Sequence, residues 1–211
     1  MSQSVEEEEL TLKLEATSQD SQCEKFMLVG KILASRVLNK IGVMNILSSV
    51  WNPSQPFKQV RIFQNLYSFE FSNEEDMLKI LEASPWSVMN YSMILQKWDG
   101  NCAVDDLRFD KIAMWVRASG LPRCMFNVEN GWKIASKLGN PVKVNIKESL
   151  YTYLRFRVEI PVDKPLRTGF WLDRGEYPRK WISLSSEKLA IFCYGCGIIG
   201  HEMEECKSVA T

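Results

Sequence analysis

The sequence predicts an α+β protein, and three observations carry that expectation. Apolar residues switch repeatedly between the two-residue period of strands and the 3.6-residue period of helices. Turn-forming residues sit where the period changes, as in Asn52-Pro53 and Gly120-Leu121-Pro122. Hydrophobic residues make up 45% and charged residues 25% of 211, the usual mixture of a globular chain. This composition excludes a collagen-like, low-complexity or wholly disordered protein. No eighteen-residue apolar run exists, so no membrane-spanning helix is expected. The opening MSQSVEEEEL has neither the basic flank nor the apolar run of a secretory signal. The expected location is intracellular, nuclear or cytoplasmic.

Taken in order, residues 1–24 are acidic and lack aromatics, and read as a disordered tail with one frayed helical turn around Leu10, Leu12 and Leu14. FMLVGKIL (26–33) reads as a strand, and Ala34 to Val50 as a helix with apolar positions at Val37, Leu38, Ile41, Met44, Ile46, Leu47 and Val50. Lys58 to Gln64 is a second strand, with Val60 and Ile62 on one side, and Leu66 to Ser72 a third, with Tyr67, Phe69 and Phe71 on one face. Ser72-x-x-Glu75 fits a capping box opening a helix to Ala83. Ser87 to Trp98 is a fourth strand. The order over 25–110, β-α-β-β-α-β, is ferredoxin-like.

A second small α+β unit is expected over 111–190. Ile112 to Arg117 is a strand, Val128 to Leu138 a helix closed by Gly139 at C′, and Val142 to Ile146 and Tyr151 to Ile160 are strands. Gly169 to Leu172 and Lys180 to Leu184 pair as a hairpin around Arg174–Pro178. Whether this unit stands apart or extends the first sheet is open from sequence. No tandem repeat of fixed period is visible.

The charges balance, 26 bases against 26 acids, but unevenly along the chain. Residues 1–25 hold seven acids and two bases, net −5; 26–110 hold nine and eight, net −1. Residues 111–192 hold seven acids and fifteen bases, net +8; 193–211 hold three and one, net −2. A block this basic attracts polyanions or anionic surfaces, or it is a solvated face balancing the acidic tail.

Six cysteines and one histidine bound the chemistry. Cys23, Cys102 and Cys124 stand alone and read as small core residues. Cys193, Cys196, His201 and Cys206 have the spacing C-x2-C-x4-H-x4-C. Three thiolates and one imidazole make a closed tetrahedral shell for Zn²⁺, which is structural rather than catalytic. Gly197 and Gly200 permit the tight turns of so short a loop. Metal is then expected to supply the loop's folding free energy, about 10–16 kcal/mol in comparable peptides. With the only histidine so used, Ser–His and Cys–His catalysis have no base. No phosphate loop, nucleophile elbow or H-E-x-x-H occurs, and Asp105, Asp106 and Asp110 read as a solvated loop rather than a two-metal nuclease. The chain is not expected to be an enzyme.

The segment 193–206 resembles the zinc knuckle of retroviral and retrotransposon nucleocapsid proteins, including the aromatic after the first cysteine, Tyr194, and the apolar Met203 two residues past the histidine. The resemblance implies that Tyr194 and Met203 form a platform for an unpaired base. The preceding order of elements, with Trp115-Val116-Arg117, Gly120-Leu121-Pro122, Arg157-Val158-Glu159-Ile160 and Lys164-Pro165-Leu166, is similar to the plant domain-of-unknown-function 4283 family, whose members resemble the gag-like first-frame product of LINE-type retrotransposons. The resemblance spans roughly residues 25–206. It implies an RRM-like fold and nucleic-acid binding, and names no catalytic residue.

At the level of residues, the first unit lacks the aromatics on which RRMs stack bases: Leu28 takes the position in strand 1, and strand 3 exposes Leu66, Ser68 and Glu70. The basic block offers more. Alternation puts Tyr151, Tyr153, Arg155 and Arg157 on one face of their strand, Lys143 and Lys147 on one face of theirs, and Trp115 with Arg117 on one face of a third. If these strands are neighbours, cations for a backbone and rings for bases share one surface; otherwise the aromatics simply reflect β propensity. Glu202, Glu204 and Glu205 make the knuckle itself acidic, so either the basic block supplies affinity for phosphate or the knuckle grips protein. The expected partner is RNA or single-stranded DNA, with no small-molecule substrate and no membrane. The alternative is a protein-interaction or self-association module.

Overall fold

The structure is a computed structural model that describes residues 11–14, 26–99, 102–146 and 152–207. Its regular elements form two antiparallel five-stranded sheets. The first contains β1 (Phe26–Ile32), β2 (Lys58–Phe63), β3 (Leu66–Phe71), β4 (Trp86–Val88) and β5 (Tyr91–Trp98), in the order β2-β3-β1-β5-β4. The second contains β6 (Lys111–Ser119), β7 (Asn140–Asn145), β8 (Tyr153–Pro161), β9 (Gly169–Arg174) and β10 (Tyr177–Ser186), in the order β7-β8-β6-β10-β9. Numbered within its own unit, each sheet reads 2-3-1-5-4. The units therefore repeat one topology that has no counterpart as a period in the sequence. They differ in their helices. The first has α1 (Lys40–Trp51) and α2 (Glu74–Glu82), whereas the second, among the described residues, has only α3 (Val128–Leu138). Residues 162–168 take the place of a second helix between β8 and β9.

Each core lies where the alternation puts it. In the first unit Leu28, Ile32, Tyr67, Phe69, Phe71 and Met93 face Val43 and Leu47 of α1 and Met77 and Ile80 of α2. Trp51 closes this core, with its ring edge-on to Phe69 at 4.8 Å. In the second, Ile112, Met114, Val116 and Ala118 of β6 and Leu154, Phe156, Val158 and Ile160 of β8 are all buried on one face, with Ala135 of α3. The two-residue period of β6 and β8 is thus a record of one buried face and one that is not.

Several boundaries differ from the sequence reading. The first helix starts at Lys40, not Ala34. Asn65 accepts the amide of Leu38 and donates to the carbonyl of Arg36, which holds the preceding segment extended, and Asn39 then caps the helix. The second helix is capped by Asn73, whose side chain accepts from the Asp76 amide, not by Ser72. The single strand over 87–98 is a hairpin, because Met89 and Asn90 both adopt positive φ and turn the chain between β4 and β5. Val60 and Ile62 do share a side, but it is the partly exposed one. Cys124 is exposed and Cys102 half-buried, so neither is a core residue; Cys23 lies outside the described residues. The helical turn expected near Leu12 and Leu14 is absent from 11–14, where both leucines are exposed; the rest of the tail lies outside the described residues.

Gly139 does close α3, but through space rather than a left-handed turn. Its φ is 174°, and an added Cβ would sit 2.0 Å from the Glu159 carbonyl oxygen. Gly139→Ala must push α3 off β8. The expected loss is about 2 kcal/mol or more, read as a lower denaturant midpoint with an unchanged slope. A midpoint equal to the parent's would contradict this packing.

Candidate metal centre and nucleic-acid interface

The strands of the second sheet bring the expected side chains to one face. Trp115 pairs with Arg157 across β6 and β8, Arg117 with Arg155, and Ser119 with Tyr153; Lys143 of β7 pairs with Arg157. Paired residues in antiparallel strands share a face, so Trp115, Arg117, Lys143, Tyr153, Arg155 and Arg157 lie together opposite α3. Lys147 and Tyr151 lie outside the described residues. The Arg155 guanidinium carbon stands 3.6 Å above the Trp115 ring, and that of Arg117 stands 4.6 Å from the centre of the Tyr153 ring. Cations and rings are stacked on each other rather than merely interleaved.

The sequence reading missed what neutralises them. Glu187, just past β10, accepts from Arg117 Nε at 2.6 Å and from Arg155 Nε and Nη2 at 2.9 and 2.8 Å. The hydrogen bonds from Arg155, then Arg117, hold the Glu187 carboxyl down at about 2. Arg157 is spent differently. Its Nη1 donates to the Glu82 carbonyl at 2.7 Å and its Nη2 to the carbonyl and hydroxyl of Ser84. It caps the last turn of α2 and ties the two units together. Burial pulls its own pKa down. Lys188 adds a bond to the Ala83 carbonyl at 2.9 Å. Two further rings also escaped the reading: Trp171 pairs with Trp181 across β9 and β10, on the same face and exposed. The alternation of that hairpin was the available signal.

The first sheet's equivalent face is not free. Leu28 points into the core rather than standing at a stacking position, and the strand-1 residues on the opposite face are Met27, Val29 and Lys31. Val29 is fully buried and Ser68 nearly so. The Gln96 amide donates to the Arg108 carbonyl, and Val104, Leu107 and Phe109 share a cavity with Lys31 and Leu66. The connection between the units therefore crosses the face of the first sheet opposite its helices.

Past β10 the chain folds into the Cys/His loop. The donor atoms of Cys193, Cys196, His201 and Cys206 all lie within 4.8 Å of one another, with Cys196 Sγ 3.3 Å from His201 Nε2. The Gly197 amide donates to the Cys193 carbonyl, and that of Cys193 to Ile198. Gly197 and Gly200 both have positive φ, as the tight turns require. Amides of Cys196 and Gly195 lower the Cys193 thiol to about 7, whereas burial raises that of Cys196. Three sulfurs and one imidazole nitrogen converging on one point, with no fifth donor grouped with them among the described residues, fit a tetrahedral ion with no open position.

This loop is not a free bead. Ile199 is buried in the second unit's core, Phe192 packs beside it, and the Leu166 amide donates to the Gly197 carbonyl at 2.8 Å. The Ser35 hydroxyl donates to Glu205 at 2.8 Å, and Gly200 passes so close to the Leu33 carbonyl that a Cβ would stand 3.0 Å from it. Glu202, Glu204 and Glu205 are all exposed, and Glu205 is the one bonded to Ser35. At the tip, Tyr194 is 88% and Met203 59% exposed.

Residues 20–106 match the family model Domain of unknown function (DUF4283), and residues 162–208 match Zinc knuckle (zf-CCHC_4). The chain thus carries a segment similar to DUF4283, followed by a segment similar to a zinc knuckle. No curated protein and no solved structure matches it. The knuckle match begins at 162, well before Cys193, and it takes in Leu166, whose amide donates to Gly197 of the metal loop. The stretch 107–161, which carries β6, α3, β7 and β8, lies outside both matches. No helix of the described residues is long and apolar enough to cross a membrane.

Proposed function

We propose that this protein holds one Zn²⁺ on Cys193, Cys196, His201 and Cys206 and binds single-stranded RNA or DNA with little sequence preference. In this reading residues 25–110 are a scaffold, 111–190 the basic platform and 193–206 the base-contacting tip; residues 1–24 take no part. One observation carries it. Rings from four strands, Trp115, Tyr153, Trp171 and Trp181, share the face of the second sheet that α3 leaves bare, two of them with a guanidinium stacked on them. Stacking on rings is how proteins hold unpaired bases without reading their sequence, at about 1–3 kcal/mol per base. Tyr194 and Met203 supply a second, smaller platform on the knuckle.

The test is a titration of labelled RNA and DNA strands at several salt concentrations. Affinity should fall linearly on a double-logarithmic plot, because each neutralised phosphate releases counterions. Absence of binding near 0.05 M salt, roughly the low end of such titrations, ends the proposal. The Tyr194 ring meets Phe192 edge-on at 5.3 Å but is 88% exposed, so Tyr194→Ala should move the denaturation midpoint little. It should weaken binding by about 5- to 150-fold, the equivalent of one stacked base, and erase any preference among bases; equal affinities for parent and variant would remove Tyr194 from the site.

A second reading rests on the exposed Glu202 and Glu204, which suit a basic protein surface better than a phosphate. It predicts a complex, or self-association seen by light scattering, that survives nuclease treatment.

A further inference from the structure

We infer that the chain has a separate phosphate-binding groove beside the knuckle, built from Lys137, Lys164 and Arg167, where the second unit lacks the helix that the first unit has. The inference rests on the nucleic-acid reading above and says which charges hold the strand. In the first unit α2 lies between β3 and β4 and packs on the sheet. In the second, the link from β8 to β9 is seven residues without a helix, and a cavity of about 510 Å³ remains on the α3 side of the sheet. Val116, Ile160 and Leu166 form its apolar lining, Lys137 from the last turn of α3 stands on one side, and Lys164 and Arg167 come from the link.

Charge identifies the occupant. No carboxylate lines this groove. Close in sequence are Asp163, which is exposed, and Glu187, which is bonded to Arg117 and Arg155; both are outside the lining. Among the described residues none of the three cations is in an ion pair, and all three are exposed. The arginines of the ring-bearing face are in the opposite condition: two share Glu187, and the third is committed to the end of α2. An acidic knuckle beside neutralised arginines has little to offer a phosphate chain. The groove supplies the missing charge, and it does so next to the knuckle, since Leu166 of its wall donates to Gly197. An apolar lining edged by cations suits a sugar–phosphate backbone, which presents carbon and anionic oxygen side by side. The volume is that of an ordinary ligand site.

The experiment compares the full chain with a variant carrying Lys137→Ala, Lys164→Ala and Arg167→Ala, using poly-uridylate strands across a salt series. Losing three phosphate contacts on a single strand should lower the salt slope by about 2 and the affinity near 0.1 M salt by roughly 10- to 100-fold. Lys137→Arg with Lys164→Arg should retain the parent's binding. The Tyr194→Ala penalty should persist in the triple variant, because base stacking and phosphate contact are separate. Parent-like slope and affinity in the triple variant overturn the groove and leave the nucleic-acid reading standing. Absence of binding by the parent overturns both. Equal competition by poly-glutamate of matched charge also overturns it, since the groove would then be a seat for acidic protein segments.

Discussion

Cys206→Ser, or exhaustive chelation, is expected to unfold the knuckle and to destabilise the second sheet by about 3 kcal/mol. Removing one ligand from a closed shell removes the ion that holds the loop together. Cys193 is fully buried and Cys206 nearly so, so the thiols cannot relax into solvent without opening the loop. The loop in turn covers part of a core. Ile199 is 6% exposed within the cluster that contains Met114 and Phe156, and Phe192 packs against it. Exposing even one or two such side chains costs roughly 1.5–3 kcal/mol each. Metal analysis should find one zinc per chain, lost in the variant. Denaturation should show a lower midpoint, and amide exchange should rise in 162–168 and β9 as well as in the loop. A knuckle that melts alone, with the sheet's midpoint unmoved, would mean that the contacts of Ile199 contribute nothing to the body of the protein.

What could be read from sequence was local. The Cys/His spacing specifies a metal loop because all four donors fall within fourteen residues, and here spacing alone limits geometry. The alternation of β6 and β8 placed Trp115, Arg117, Tyr153, Arg155 and Arg157 on one face for the same reason: a strand's period settles which side each residue takes. The failures are tertiary. Nothing near Ala34 shows that Asn65 will hold residues 36–38 extended and delay α1. Met89 at positive φ gives no compositional hint of a turn. The repeat of topology is invisible because strand order is not a sequence pattern, and with it the missing helix was invisible too. Arg157 looked like a platform residue but reaches across to Glu82 and Ser84, a contact between residues more than seventy positions apart. The acidity of the knuckle was legible, yet not that Glu205 is used to clasp Ser35.

Glu187→Gln should separate stability from binding, moving them in opposite directions. One carboxylate, 18% exposed, receives three charge-assisted bonds from two arginines. Its folded pKa of about 2 lies below the ordinary 4.5. A depressed carboxyl stabilises the folded state at every pH above its unfolded value, and that contribution is lost as pH falls from about 4.5 through 2. The variant should therefore be less stable at neutral pH by about 2 kcal/mol, and its stability should depend less on pH across that acid window. Binding should respond the other way. Arg155 remains stacked on Trp115 and Arg117 beside Tyr153, but both lose their counter-charge and become available to phosphate. Affinity for single strands should rise, with a steeper salt slope. Adding Arg155→Ala and Arg117→Ala to the variant should abolish that gain, and the non-additivity would measure the coupling directly. If Glu187→Gln weakened binding instead, the carboxylate would be a positioning group that holds the guanidiniums flat against their rings, and the ring-bearing face would act by stacking alone.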